Sequence, residues 1–422
     1  MSIYSKHSSF YKQIKKLSQY GIGQFVNLIV PFIISPYLIL TCGEANFGKS
    51  AIGMTIAFFV IVFVDFGSDI LGVKQISQNR NHISKLNHVF SKIIYGKIIF
   101  ALLFSIIFYT VIACIDIDEN EKLLYYLSGT VFISQIVNPF WIFQGLEDFK
   151  NFSILTIISK ILYLFFCLLL IKDKSDYVFI NLSFGLSVFI TGVFSYLILN
   201  KKHKIQFIKI ERKEILSYFN INKTFTFSQI FTWIQMYAPI LIISFLGNNK
   251  LVGQFRIIDQ IISVFKTYIM MSFNFIYPKV CYEISLTFDK AIKNWSRFNL
   301  VNTVFVVVLL GLIFIFKEEI MIYYNILEVK KMSNLLGISL LYPIFFLFVN
   351  IVKQLYLALH YEKLFSIITI AMSILNLLGI CLAFTKLQLY GVYYSCIFVE
   401  MLTLLLLIVF NFKYNIVRLK KY

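Results

Sequence analysis

The stretch from Leu251 to Phe275 reads LVGQFRIIDQIISVFKTYIMMSFNF and carries Arg256, Asp259 and Lys266. It is long and apolar enough to cross a bilayer, which takes about 20 residues. At 100° per residue, Asp259 lies about 60° back from Arg256 and Lys266 about 80° back. Gln260, Ser263, Thr267 and Asn274 fall near the same meridian. The spacing predicts a membrane helix with one polar, net-basic stripe. A charge near the bilayer centre costs about 2.5–3.5 kcal/mol on insertion scales, so such groups usually face a cavity or a partner. Two simpler arrangements compete. Arg256 and Asp259 pair with each other at i, i+3, or Arg256 reaches out to the membrane surface. Asp259 is then either the tether of Arg256 or a protonatable coupling site.

Other charges also interrupt apolar runs. Lys160, in LTIISKILYLFF, either adds to a cationic cavity or reaches the headgroups. Glu400, in CIFVEMLTLLLL, is a mid-span carboxylate, which by default marks function: it either couples H+ or Na+ or pairs with a cation on a neighbouring helix. Lys353, in NIVKQLYLALH, is a candidate cytoplasmic gate or headgroup contact. Asp65 and Asp69, at i, i+4, are gate candidates facing Lys74 or Lys97, or else a solvated helix end. No phosphate loop of the GxxxxGK[ST] kind is present, and the carboxylates do not cluster as an acid–base pair, so ATP hydrolysis and other enzymatic chemistry are not expected. The 6 cysteines are scattered singly and the 5 histidines sit in or beside polar loops, which argues against a disulfide framework, a metal site or any cofactor.

The element that must position these groups is a bundle of membrane helices. The chain of 422 residues is 59% hydrophobic and only 14% charged, where a soluble domain carries about 25% charged residues. Apolar runs of bilayer length recur about twelve times, near 20–41, 47–71, 93–115, 123–143, 152–171, 177–199, 221–247, 251–277, 299–316, 333–358, 364–385 and 389–411. The basic N-terminus is expected to lead into a retained first span, since no small-residue cleavage site follows. Lys and Arg concentrate in the termini and alternate loops, above all 74–97 and 200–223, whereas the loop IDIDENE (Ile115–Glu121) is acidic. The basic excess marks the cytoplasmic side, which puts both termini in the cytoplasm. The formal net charge of +18 is read as topology plus attraction to anionic membrane lipid, with no nucleic-acid partner. Two stretches resemble each other, QFVNLIVPFIISPYLILTCGEANFGKS from Gln24 and QIFTWIQMYAPILIISFLGNNKLVGQF from Gln229. Both start with Gln, hold a proline within the span, and end in a hairpin flanked by glycines. This suggests two six-helix lobes, 1–210 and 211–422, a plan in which cargo binds between halves.

Three motifs carry a family resemblance. They are Pro36-Tyr37-Leu38 through Gly43-Glu44-Ala45-Asn46-Phe47-Gly48, Asp65-Phe66-Gly67 followed by Lys74-Gln75-Ile76, and Trp141-Ile142-Phe143-Gln144-Gly145-Leu146-Glu147. They resemble the O-antigen flippases (Wzx-type) of the multidrug/oligosaccharidyl-lipid/polysaccharide exporter superfamily. One departure is Leu40, where the family often has a basic residue. The resemblance implies an all-α polytopic membrane protein of about twelve transmembrane helices in two six-helix, MATE-like lobes. It implies a secondary transporter in the bacterial inner (cytoplasmic) membrane that moves undecaprenyl-pyrophosphate-linked O-antigen repeat units outward. A polysaccharide polymerase and a chain-length regulator are the implied partners.

On that reading Arg256, Lys266 and Lys160 replace hydration lost by the pyrophosphate, for which the Arg fork is well shaped. Gln24, Asn27, Trp233 and Gln235, with Gln135, Asn138 and Trp141, are candidates to meet sugar hydroxyls. A drug/cation antiporter of the same superfamily would want an acidic cavity instead. A polymerase or ligase would want a long basic outer loop, and the largest, around Lys317–Met332, is short.

Overall fold

A computed structural model describes residues 3–359 and 361–413; for some positions within helices, residues 3–17 among them, only the backbone is described. The described residues form α-helices and short turns, with no strand among them. In order, the helices are α1 (Ile3–Cys42), α2 (Glu44–Asp65), α3 (Val73–Gln78), α4 (Ile83–Cys114), α5 (Glu119–Ile133), α6 (Phe140–Gly145), α7 (Phe149–Leu170) and α8 (Ile180–His203). There follow α9 (Arg212–Leu246), α10 (Asn249–Leu286), α11 (Phe288–Ile315), α12 (Lys317–Tyr323), α13 (Val329–Ser339), α14 (Leu341–Ala358), α15 (Glu362–Leu387) and α16 (Leu389–Lys413). Among the described residues, 9 helical segments are long and apolar enough to span a membrane. The remaining expected spans correspond to α5, α9 and α10. The chain is an all-α, polytopic membrane protein.

Two compact units divide the chain, Met1–Tyr237 and Ala238–Tyr422. The first is built around α8. Its residues Asn181, Ser183, Gly185, Ser187, Thr191, Gly192 and Ser195 are all buried. Small side chains let neighbouring backbones approach, which is how membrane helices pack without a hydrophobic driving force between them. Most of these hydroxyls are satisfied within the helix; Ser195 Oγ, for instance, donates to the carbonyl of Thr191 at 2.7 Å. Asn181 ties three helices instead, donating to Ser50 O on α2 at 2.9 Å and Ser128 Oγ on α5 at 2.8 Å.

Two of the sequence motifs meet in this unit. The span expected to run to residue 71 stops at Asp65, because Phe66 and Gly67 adopt left-handed conformations (φ 44° and 78°). A π-helical turn, Ser68–Gly72, follows and leads into α3. The fourth span also breaks, through a 3-10 turn (Ser134–Ile136) and Pro139 into α6. The residue before a proline disfavours the helical region, which accounts for the break at Asn138. α3 and α6 then pack together. A Cβ on Gly72 would come 2.9 Å from the Trp141 ring, and one on Gly145 2.7 Å from Ile76. Arg80 closes the contact on Glu147 at 2.7 Å. These glycines are there because no larger residue fits.

At one end of the unit Asp148 caps α7. Its side chain accepts from Asn151 N at 3.4 Å and Asn151 Nδ2 at 2.7 Å. Lys202 Nζ and His203 Nε2 of α8 lie 2.7 and 2.8 Å from it. The chain beyond α8 is strapped to α4, with Gln206 N donating to Asn87 Oδ1 and Ile208 N to Ser91 Oγ. Ile205 and Tyr218 join the buried cluster around Trp141.

The second unit packs α10 against α14, α14 against α16, and α15 against α16. Polar bonds again join helices: Tyr356 Oη donates to Leu407 O at 2.6 Å, and Ser395 Oγ to Asn376 Oδ1 at 3.2 Å. The hairpin joining α9 to α10 turns at Gly247, and Asn248 caps α10 through its bond from Leu251 N at 3.0 Å.

Burial by itself would raise the Asp148 pKa. The bonds from His203, Lys202 and Asn151 outweigh it and hold the carboxyl well below the usual range. A depressed folded-state value stabilises the fold above the unfolded pKa of about 3.9, and the contribution is lost as pH falls below that. Asp148→Asn is therefore expected to lower the unfolding temperature in detergent at pH 7. The gap to the native protein should narrow between about pH 4 and pH 3. A gap that widens on acidification would contradict this.

Candidate functional site

In the second unit, α10 presents its three charges together. Arg256 Nη1 lies 3.5 Å from Asp259 Oδ2, and Lys266 Nζ lies 3.9 Å from Asp259 Oδ1. All three are partly exposed, with side-chain values of 24–32%. The i, i+3 pairing expected from the sequence is present, with Lys266 engaging the other carboxylate oxygen. Neither contact is as short as the 2.7–2.9 Å usual for a charge-assisted bond. The cations are held near Asp259 rather than locked to it.

Neighbouring helices complete the cluster. Lys266 sits over the Tyr342 ring of α14, 5.3 Å from its centroid. Glu400, on α16, is half-buried and feels the charges of both Lys266 and Lys353. Lys353, on α14, lies between the rings of Phe273 and Phe365, at 5.2 and 5.3 Å. Tyr393 of α16 stacks on Phe255 at 5.6 Å, and its buried hydroxyl has no partner among the described residues. Arg256 and Lys266 thus share one carboxylate in direct contact, Asp259, while Glu400 acts on Lys266 and Lys353 through its charge alone. Such a site suits an anion.

The first unit treats its charges differently. Lys97 is 2% exposed; its Nζ donates to Asp65 Oδ1 at 2.7 Å and to Gln135 O at 3.3 Å. Asp65 is therefore in a short, closed pair, not at a solvated helix end. The left-handed break at Phe66 puts Asp69 on the π-helical turn, exposed, while the charges of both Asp65 and Asp69 act on Tyr218. Lys160, half-buried on α7, lies 4.9 Å from the Phe184 ring centroid, and no carboxylate pairs with it among the described residues.

Of the expected sugar contacts, Gln24 is half-buried one turn from Tyr20, and Asn27 is exposed. The row in the fourth span is occupied internally. Asn138 Nδ2 donates to Gln135 Oε1 at 3.0 Å, and Trp141 is 5% exposed in a hydrophobic cluster. The side chains of Trp233, Gln235, Gln229, Asn274 and Lys74 lie outside the described residues. Sequence reasoning missed Tyr342 and Tyr393. They are two among 26 tyrosines, and nothing local in their surroundings distinguishes them.

Against solved structures, the fold is that of the MATE transporters. The inward-facing conformation of a multidrug resistance MATE family transporter of the MOP superfamily matches with a TM-score of 0.71 and 14% identity, covering 97% of this chain and 99% of that one. The sequence narrows this further. The model of the family described as "Polysaccharide biosynthesis protein" matches residues 14–280, more than half of the chain, and the protein belongs to that family. It is 22% identical over 375 residues to the protein named "Putative O-antigen transporter" in Escherichia coli (strain K12), covering 85% of this chain and 86% of that protein. A protein of the same name in Shigella dysenteriae is 21% identical over 239 residues, covering 56% and 59%. The chain is thus a polytopic membrane protein of that family with the fold of the MATE transporters.

The Asp65–Lys97 pair is open to direct measurement. Breaking a buried pair leaves an uncompensated charge, at a cost of about 3–5 kcal/mol, whereas replacing both partners is often close to neutral. Lys97→Met should sharply lower thermal stability in detergent. Asp65→Asn combined with Lys97→Met should restore most of it. Additive losses in the double variant would show that the two side chains do not depend on each other.

Proposed function

We propose that the protein is a transporter that moves a polyprenyl-linked oligosaccharide, carried on a pyrophosphate such as undecaprenyl pyrophosphate, from the cytoplasmic to the outer leaflet of the bacterial inner membrane. The observation that carries this reading is that two cations, Arg256 and Lys266, share the one carboxylate of Asp259. A pyrophosphate cannot shed water into hydrocarbon without replacement contacts. Arg256 and Lys266, loosely held by Asp259, supply them, and the phosphate oxygens compete with Asp259 for the same donors. The family membership and the O-antigen name of the relatives support this cargo class. The apolar tail stays in lipid while the headgroup passes.

The two lobes, 1–210 and 211–422, alternate in access, and both termini face the cytoplasm, as the loop charges favour. Glu400, within reach of Lys266 and Lys353, exchanges H+ or Na+. A polysaccharide polymerase and a chain-length regulator receive the product.

The test is transport of a labelled lipid-pyrophosphate oligosaccharide in vesicles. Losing one charge-assisted contact to phosphate costs about 1.5–3 kcal/mol, so Arg256→Ala and Lys266→Ala should each slow transport about 10- to 100-fold at unchanged protein level. Normal transport by both variants would remove the assignment. So would uptake of a lipophilic cation without transport of the lipid-linked sugar.

A further inference from the structure

A second feature of the Ala238–Tyr422 unit lies away from the charge cluster. A cavity of about 750 Å³ opens between α11, α13 and α14, with Val307, Gly311 and Phe314 on one wall and Leu341 on the other. Its lining is apolar except at one end, where Lys317, Asn334 and Tyr390 converge. Gly311 makes the floor: a Cβ there would meet nothing within 4 Å. Lys317 is half-buried at the first residue of α12, with its Nζ 4.6 Å from the Phe314 ring centroid. No carboxylate pairs with it among the described residues, although Glu318 and Glu319 follow it in sequence. Tyr390 Oη is committed to Lys331 O at 3.2 Å, but a hydroxyl oxygen can still accept a bond.

The shape and the chemistry agree on one occupant. A groove on a membrane helix is in contact with acyl chains. From Val307 to Lys317 it rises about 15 Å along the helix, half of the roughly 30 Å hydrocarbon core. That is the reach of a fatty-acyl chain within one leaflet, and it is short for a long polyprenyl tail. Lys317 and Asn334 stand where that chain meets its headgroup, and both can donate to a phosphate oxygen. We propose that this groove is a binding site for an anionic glycerophospholipid, with one acyl chain over Gly311 and the headgroup phosphate on Lys317. The site acts on the membrane environment of the second unit and is separate from cargo binding, so it stands or falls without the transport reading.

Native mass spectrometry of the full-length protein tests it, after equilibration in micelles with equal amounts of phosphatidylglycerol and phosphatidylcholine. Both lipids carry the phosphate, but the choline cation of phosphatidylcholine offsets the attraction of Lys317, so the net-anionic phosphatidylglycerol should be preferred about fivefold by the native protein. Lys317→Gln should abolish the preference. Gly311→Leu, which projects into open space, should fill the groove and reduce retention of both lipids. Lys386→Gln, at the end of α15, should leave the preference unchanged. The proposal is overturned by equal retention of the two lipids in the native protein, or by no effect of either groove substitution. Loss of preference on Lys386→Gln, or displacement of phosphatidylglycerol by an equal amount of undecaprenyl phosphate, would overturn it too.

Discussion

A cation inside a membrane helix needs something to offset its lost hydration, and the form of that offset separates the charges of this protein. Lys97 has a full answer: a 2.7 Å contact with Asp65 and a backbone carbonyl beside it, out of solvent. Arg256 and Lys266 have a partial one. They share Asp259 at 3.5 and 3.9 Å, distances at which neither pair makes a strong bond. Lys160 and Lys353 rest on aromatic faces. A ring contributes about 0.5–2 kcal/mol, less than the 2.5–3.5 kcal/mol cost of a charge at mid-membrane. The closed pair belongs to architecture. The partly satisfied cations remain able to accept an anionic guest.

The scaffold that holds these charges depends on close backbone approach. In the first unit, small residues line α8 and the buried side of α2, and Asn181 links α2, α5 and α8. The break after Asp65 belongs to the same economy of space. It redirects the chain into α3, which then docks on α6 through Gly72 and Gly145. The second unit places its charges on α10, α14 and α16, with α14 packed on both of the others, so residues distant in sequence come near one another.

Much of this was legible in the sequence because membrane spans announce themselves by length and hydropathy, and i, i+3 neighbours on a helix follow from its period. The Arg256–Asp259 contact needed nothing more. The shared meridian put Lys266 on the same stripe as Asp259 without naming the contact, and Asp65 was left between Lys74, Lys97 and a solvated helix end until the fold brought Lys97 to it. The i, i+4 spacing of Asp65 and Asp69 carries a helical period through Phe66, whose left-handed conformation no local pattern indicates. Trp141 and Asn138 looked like a polar row facing a cavity. Pro139 breaks that helix, and the row turns into a cap and a core contact. Tyr342 and Tyr393 were invisible because their significance lies in contacts between helices.

Under the proposed function, positive charge in the second unit meets a phosphorylated passenger. Equilibrium binding of a prenyl pyrophosphate and of the matching uncharged prenyl alcohol to the purified protein, across a range of salt concentrations, tests this most directly. The pyrophosphate should bind about tenfold or more tightly at low salt, with the advantage shrinking as salt screens the partly exposed cations. Equal binding of the two lipids, or an advantage indifferent to salt and to loss of Lys266, would contradict it.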